Sequence, residues 1–115
     1  MTEAEELIQM QREAETVQVS DEILKYITTL SFETRKHPLT MLGVSPRGAI
    51  AVSSMAKAGA YIRGRDYVLT DDVTDIFKDV CAHRMILTSK AKITETTEAD
   101  ILDEILRNTP RPDRI

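Results

Sequence analysis

The stretch that organises this chain is Leu42-Gly43-Val44-Ser45-Pro46-Arg47-Gly48, which leads directly into a helix rich in small residues that we predict to end near Ile62. Ser45 is predicted to be the N-cap because its oxygen can accept a free backbone N–H, and Pro46 suits the first helical position because it has no N–H to leave unpaired. Arg47 then lies in the first turn, where its charge meets the positive end of the helix dipole at a cost of about 0.3–1 kcal/mol. A bound phosphate or carboxylate would offset that cost. Local chemistry alone leaves two interpretations, an anion site or an arginine that points into water.

Composition limits the classes of protein to consider. The chain has 115 residues, a formal charge of −4 and 42% hydrophobic residues, which fits one domain with a modest core. The net negative charge and the few aromatic residues argue against electrostatic binding of nucleic acid. The single cysteine excludes an intrachain disulfide framework and fits a reducing compartment. No apolar run approaches the roughly 20 residues that cross a bilayer, and residues 1–6 lack the basic flank of a secretory signal. We therefore expect a soluble, cytoplasmic protein without membrane contact.

The pattern of caps and apolar positions predicts an all-α fold, a small bundle of four to five helices. Residues 1–19 are predicted to form a largely polar helix and an extended link, and residues 20–115 a helical domain. Ser20 is predicted to cap a second helix, with a core face that the apolar spacing assigns to Ile23, Leu24, Ile27 and Leu30. The helix that follows Pro46 is apolar around most of its circumference, so we expect several neighbours to bury it. Gly64 is placed to end that helix in the left-handed conformation.

The second half of the chain is predicted to hold two further helices and a minimal sheet. Thr70 is predicted to cap a helix that ends near His83. Residues 88–96 are predicted to form a polar connector, and Thr97 is predicted to cap the last helix. Residues 65–68 and 84–87 read as extended, and Tyr67-Val68 is predicted to pair with the second of these segments in a two-stranded sheet.

Motifs for chemistry by this chain alone are missing from the sequence. No GxxxxGK[ST] motif occurs, and no apolar strand ends in an acidic pair that would hold Mg²⁺. The serines have no histidine and acid in a recognisable nucleophile setting. Cys81 and His83, with only the distant His37 as a third ligand, fall short of a four-ligand zinc site, so we expect no metal centre and predict that Cys81 is a small core residue.

Two groups of charged residues have a functional and a structural interpretation. Three aspartates spaced four residues apart share one helix face and are predicted to be solvated surface, namely Asp71, Asp75 and Asp79. Three arginines lie near the predicted strand pair and could either bind nucleic acid or form surface salt bridges. The neighbouring acidic residues favour the salt bridges. The three arginines are Arg63, Arg65 and Arg84.

Four separate stretches resemble, in order and spacing, the C-terminal lid domain of MoxR-type AAA+ ATPases. They are Thr34-Arg35, Leu42-Gly43-Val44-Ser45-Pro46-Arg47-Gly48, Gly64-Arg65-Asp66-Tyr67-Val68-Leu69-Thr70-Asp71-Asp72-Val73 and His83-Arg84-Met85-Ile86-Leu87. The opening helix resembles the link from the ATPase core into the lid, and residues 101–112 resemble the closing helix and the proline-containing end of the lid. The resemblance covers nearly the whole chain and implies the AAA+ lid fold.

The resemblance also implies roles for particular residues. Arg47 takes the position called sensor 2, the lid arginine that reaches the γ-phosphate of ATP, while Ser45 and Pro46 hold the loop that approaches the nucleotide. Arg35, Arg65 and Arg84 match family positions to which we assign only a structural role. ATP and Mg²⁺ would be bound by a core domain that is absent from these 115 residues, so we expect no catalytic residue and no ATPase activity from this fragment alone.

The mechanism that the resemblance implies is a lever, in which contact between Arg47 and ATP rotates the lid against the core and hydrolysis releases it. The implied partners are the chain's own AAA+ core, the neighbouring subunits of a ring and, as clients of a remodelling chaperone, proteins with von Willebrand factor A domains. Two alternatives remain: a free-standing helical adaptor for protein partners, and a nucleic-acid binder that uses the arginine group.

Overall fold

The computed structural model describes residues 2–113, which contain six α-helices and one two-stranded sheet. The elements are α1 (Glu3–Glu15), α2 (Asp21–Lys36), β1 (Thr40–Leu42), α3 (Pro46–Ile62), α4 (Thr70–Cys81), β2 (Ile86–Leu87), α5 (Ser89–Ile93) and α6 (Glu98–Asn108), with a 3₁₀ turn at Ala82–Arg84. The predicted all-α class with a minimal sheet is confirmed. The short helix α5 lies in the segment that we predicted to be a connector, because Thr88 caps it by accepting the N–H of Ala91.

Local sequence signals place most of the helix ends. Thr2, Ser20, Ser45 and Thr97 each accept an N–H of the first turn that follows, as N-cap residues do. Gly64 has φ +79° just past the end of α3, and the N–H groups of Gly64 and Arg65 donate to the carbonyls of Tyr61 and Ala60. This is a Schellman ending, so the predicted left-handed glycine is confirmed.

The start of α4 differs from the prediction. Thr70 is the first helical residue and is buried, while Leu69 occupies the N-cap position. A leucine has no oxygen to cap with, and the Asp72 carboxylate instead accepts the N–H of Leu69 at 2.7 Å. The buried carboxylate therefore takes over part of the capping role that we predicted for Thr70.

The predicted strand pairing is wrong. β2 does follow α4, but it pairs antiparallel with β1, with Thr40 opposite Leu87 and Leu42 opposite Ile86. Tyr67 lies opposite Gln18 in a parallel bridge to the link between α1 and α2. The N–H of Gln18 donates to the carbonyl of Asp66, and the N–H of Val68 donates to the carbonyl of Gln18, both at 2.8 Å. Residues 39–42 carried no strong strand pattern, and their partners in β2 lie more than 40 positions away in the sequence.

The core lies where α2, α3, α4 and α6 meet. Its largest fully buried side chains include Phe77, Leu30, Ile101, Leu102 and Val44, each of which contributes about 1.5–3 kcal/mol by its burial. Cys81 is also fully buried, which confirms it as a core residue, and burial raises the pKa of its thiol to about 12. Val44 belongs to the loop before α3, so that loop is part of the core.

The central helix α3 is less enclosed than predicted. One face is buried through Val52, Ala56 and Ala60. The opposite face is open, with Ile50, Met55 and Ile62 between 49% and 79% exposed. An apolar pattern covering most of a helix predicts contact all round, but α1, α2 and α4 cover only part of it. In α2, Leu24 is likewise exposed, in contrast to the predicted core face.

Helix α1 lies on the surface and is fastened only near its C-terminal end. None of its residues is buried, and Leu7, Ile8 and Met10 are about half exposed. The Tyr61 hydroxyl donates to the Glu13 carboxylate, which joins α1 to the end of α3.

Candidate functional site

The loop that precedes α3 is held by the C-terminal end of α2. The N–H of Val44 donates to Thr34 Oγ1 at 2.9 Å, and Arg35 Nε donates to the carbonyl of the same Val44 at 3.0 Å. Thr34 and Val44 are both fully buried. Because both backbone polar groups of one residue are bonded to consecutive side chains of α2, the loop has little freedom to move.

Two glycines allow the close packing around this loop. A Cβ on Gly43 would lie 2.7 Å from the backbone of Arg35, and one on Gly48 would lie 2.5 Å from Val44 Cγ1. Real Cβ atoms do not approach other atoms so closely, so a larger residue at either position would push the loop away from α2 or from the helix start. The glycines thus fix the place from which Arg47 projects.

The first turn of α3 has few amide groups to offer. Pro46 has no N–H, Ser45 Oγ accepts the N–H of Gly48 at 3.4 Å, and the Ser45 carbonyl accepts the N–H of Ala49. Within residues 2–113 the N–H of Arg47 has no partner. An anion at this helix end would therefore meet one free amide, and guanidinium groups would contribute most of its binding.

Arg47 is exposed, and its side chain has no hydrogen bond or ion pair with the part of the chain that the structure describes. The first turn of α3 contains no acidic residue, whereas α1, α2, α4 and α6 each begin with two or three. The charge of Arg47 adds to the positive end of the dipole without compensation. The structure thus presents an unpaired cation on a fixed loop.

The predicted arginine group is divided between the two ends of α3. Arg84 lies at the N-terminal end, where its Cδ is 3.2 Å from the place of a Cβ on Gly48. Arg63 and Arg65 lie at the other end of α3, about 25 Å away along a helix of 17 residues. A single basic surface for nucleic acid is therefore not formed.

Arg63 and Arg65 both bind the buried carboxylate of Asp72. Arg65 donates two hydrogen bonds of 2.7 Å to it, and Arg63 donates one of 2.5 Å. Burial would raise the pKa of Asp72, but the hydrogen bonds from Arg65, from the N–H of Leu69 and from Arg63 lower it overall. The salt-bridge interpretation is confirmed for these two arginines, which join the end of α3 to the start of α4.

The other candidate groups of the sequence are surface or core features. Asp71 pairs with Arg111 and Asp75 with Arg63, both at the surface, and Asp79 is exposed. Between residues 2 and 113, no three histidine, cysteine or acidic side chains are grouped closely enough to hold a metal ion. Over the same range, no helix has the length and hydropathy needed to cross a bilayer.

Sequence reasoning found Arg47 and, through the resemblance, singled out Thr34 and Arg35, but it did not find the contacts by which these two residues fix the loop. The bonds from Thr34 and Arg35 to Val44 span nine or ten residues, and no local pattern signals a contact of that kind. The place of Arg84 beside Gly48 depends on how the end of α4 packs against α3. The one signal in the sequence is the presence of glycines near Val44, at Gly43 and Gly48, which indicates that other parts of the chain pack closely against this loop.

Comparison with known proteins identifies the family of this chain. Residues 32–105 match the family model described as AAA lid domain. The chain is 40% identical over 102 residues to the uncharacterised protein YeaC of Bacillus subtilis, covering 89% of this chain and 32% of that protein. It is 30% identical to the chaperone MoxR1 of Mycobacterium tuberculosis, covering 93% of this chain and 31% of the relative.

A solved structure has the same fold. A protein of Cytophaga hutchinsonii, provisionally described as an ATPase, superposes with a TM-score of 0.83 at 32% identity, over 86% of this chain and 33% of its own. The chain thus spans about a third of the length of the relatives it matches.

Proposed function

This chain belongs to the AAA lid domain family and is a lid of the MoxR type, and from that premise we propose that Arg47 is the sensor 2 arginine of an AAA+ ATPase. The observation that carries the proposal is the exposed, unpaired guanidinium of Arg47 on a loop that α2 fixes through Val44. Because the loop is fixed, Arg47 projects from a defined place, as a group that must reach a ligand in another domain has to do. Ser45 and Pro46 shape the helix start, and Arg47 makes the contact.

The donor set fits a nucleotide phosphate supplied by another domain. ATP bound with Mg²⁺ in the core supplies the γ-phosphate charge, and the guanidinium and free N–H of Arg47 are the groups of this loop that would receive it. The first turn of α3 has no carboxylate, so it suits the phosphate oxygens and not Mg²⁺, whose ligands belong to the core. This chain contributes half of a site and no catalytic residue.

Arg47 would act by drawing the lid toward the core. A hydrogen bond to a charged group contributes about 1.5–3 kcal/mol, enough to shift an open–closed equilibrium about tenfold to a hundredfold. Because the loop is bonded to α2 and is continuous with α3, a pull on Arg47 moves these helices together. Loss of the γ-phosphate on hydrolysis would release that pull and let the lid return.

The test is the substitution Arg47→Ala in the ATPase that carries this lid together with its core. We expect turnover to fall about tenfold to a hundredfold, with the melting temperature unchanged because surface substitutions alter stability by less than about 0.5 kcal/mol. Arg107→Ala is the matched control, since Arg107 is an exposed arginine on α6. Unchanged turnover in the Arg47 variant would refute the sensor assignment.

The proposal also includes the partners of the lid and its location in the cell. The relatives are about three times longer than this chain, and we expect its partners to be its own AAA+ core, the neighbouring subunits of a ring and, as remodelling clients, proteins with von Willebrand factor A domains. A cytoplasmic location suits a machine that uses ATP and a chain with one unpaired cysteine. Measuring the mass of the full assembly with and without ATP tests the ring.

A helical adaptor that needs no ATP is the second candidate. The open apolar faces of α1 and α3 favour it, since Leu7, Ile8, Ile50 and Met55 are all about half exposed or more. In the lid interpretation these faces meet the core or a ring neighbour. The Arg47→Ala variant separates the two, because an adaptor retains partner binding when Arg47 is replaced, whereas the lid proposal expects the full ATPase to lose turnover. The lid proposal also expects no measurable ATP affinity from the 115-residue chain alone, so tight ATP binding in calorimetry would contradict it.

A further inference from the structure

Arg84 occupies a defined place over the first turn of α3. Its Cδ lies 3.2 Å from where a Cβ on Gly48 would be, so the aliphatic part of the side chain crosses the helix at the residue after Arg47. Consecutive Cα atoms are about 3.8 Å apart. The Arg84 side chain therefore lies against the same first turn of α3 that carries Arg47.

The backbone of Arg84 is anchored on both sides. It ends the 3₁₀ turn Ala82–Arg84, which follows the fully buried Cys81, and it precedes the buried Met85. The next residues form β2, which pairs with β1 just ahead of the loop. Arg84 is thus carried by a segment that is tied both to the core and to the strand leading into the loop.

The charge of Arg84 is not neutralised by the part of the chain that the structure describes. No carboxylate between residues 2 and 113 forms an ion pair with it, in contrast to Arg63 and Arg65. Gly48 leaves room for the side chain to lie flat against the helix, and the guanidinium remains exposed. Two unpaired guanidinium groups beside one helix start repel each other unless a multiply charged anion lies between them.

We propose that Arg84 is a second guanidinium for the same nucleotide and binds its phosphate chain beside Arg47. The inference rests on the proposed function of Arg47 and adds to it a residue 37 positions away along the chain. One guanidinium contacts few of the oxygens of a triphosphate, whereas two at the same helix start can contact more of them and favour a polyphosphate over a single carboxylate. The first turn of α3, with one free N–H, has little else to offer.

The experiment measures the dissociation constants of ATP and ADP for the full ATPase with the variants Arg84→Met, Arg84→Lys and Arg47→Ala. Methionine keeps an aliphatic chain over Gly48 and removes the charge, and lysine keeps both the chain and the charge. Arg107→Met is the matched surface control. We expect Arg84→Met to bind ATP about tenfold to a hundredfold more weakly, in proportion to one lost charged hydrogen bond. We expect Arg84→Lys to recover part of the affinity.

The outcomes separate this inference from the proposal on which it rests. If Arg47→Ala weakens ATP binding and Arg84→Met does not, the second guanidinium is wrong and the sensor stands. If neither variant changes ATP binding, both fail. A merely structural role of Arg84 predicts a lower melting temperature and equal loss of ATP and ADP affinity that lysine does not restore. If Arg84→Met changes only the mass of the assembly, its partner is a carboxylate of another subunit and the inference is overturned.

Discussion

The loop that presents Arg47 depends on one hydrogen bond that a small substitution can remove. Thr34→Val keeps the shape of the side chain and deletes the hydroxyl that accepts the N–H of Val44 at 2.9 Å. The N–H is buried, so it is left without a partner at a cost of about 1–3 kcal/mol. Thr29→Val is the matched control, because Thr29 is an exposed threonine of the same helix whose hydroxyl bonds only to the carbonyl one turn earlier.

Urea denaturation followed by circular dichroism measures that cost. With a slope of about 1.5 kcal/mol/M, the midpoint should fall by about 0.7–2 M for Thr34→Val, and the control should stay near the wild type. Hydrogen exchange adds a local reading, because the amide of Val44 should lose protection more than the amides of α4. A midpoint equal to that of the control, or unchanged protection at Val44, would refute the argument that Thr34 fixes the loop.

Four further predictions concern Asp72, Gly43 and Cys81. Asp72→Asn should destabilise the chain by about 2–4 kcal/mol in urea denaturation, because it leaves two arginines facing a neutral group. Asp75→Asn, at an exposed position, is the control and should change stability by less than about 0.5 kcal/mol. Equal effects would contradict the role of Asp72 in joining α3 to α4. The folded state lowers the pKa of Asp72, so the stability that Asp72 contributes should be complete above about pH 4, the pKa of an aspartate in the unfolded chain. That stability should be lost as the pH falls through the lower pKa of the folded state, and the difference in stability between wild type and Asp72→Asn should therefore shrink in acid. Gly43→Ala should lower stability and ATPase turnover together because its Cβ meets the backbone of α2 at 2.7 Å, and normal turnover in that variant would show that the loop tolerates displacement. The thiol of Cys81, buried and with a pKa raised to about 12, should resist alkylation at pH 8 until the chain unfolds, and rapid labelling of the native chain would contradict its burial.

The parts of this fold that were predicted correctly are those that short-range chemistry decides. A side-chain oxygen three residues before a free N–H sets a helix start, as at Ser20 and Ser45, and a left-handed glycine sets an end, as at Gly64. The strand pairing depends instead on contacts between residues more than 40 positions apart. Tyr67 was a reasonable partner for β2 by pattern, but the tertiary packing brought β1 there and left Tyr67 beside Gln18.

In the candidate site, too, local chemistry could be predicted and long-range contacts could not. Arg47 could be singled out from its position in the first turn, because a cation at the positive end of a helix dipole invites an explanation. Its support by Thr34 and Arg35 and its neighbour Arg84 are long-range contacts. The sequence placed Arg84 with Arg63 and Arg65 only because residues 84–87 were predicted to pair with Tyr67-Val68. The exposed face of α3 was also unpredictable, since Ile50, Met55 and Ile62 are apolar residues that a helical pattern assigns to a buried surface.

The two ends of α3 have different attachments, and this bears on how a pull at Arg47 would travel. The loop at the N-terminal end of α3 is hydrogen-bonded to α2, and Tyr61 at the C-terminal end of α3 is hydrogen-bonded to Glu13 of α1. The adjacent ending of α3 is joined to α4 by Arg63, Arg65 and Asp72. α3 spans about 25 Å between these two sets of contacts, and if it moves as one body, a displacement of Arg47 toward a phosphate would move α1 and α4 with it. The lever proposed for this lid therefore includes α1, although α1 buries none of its side chains.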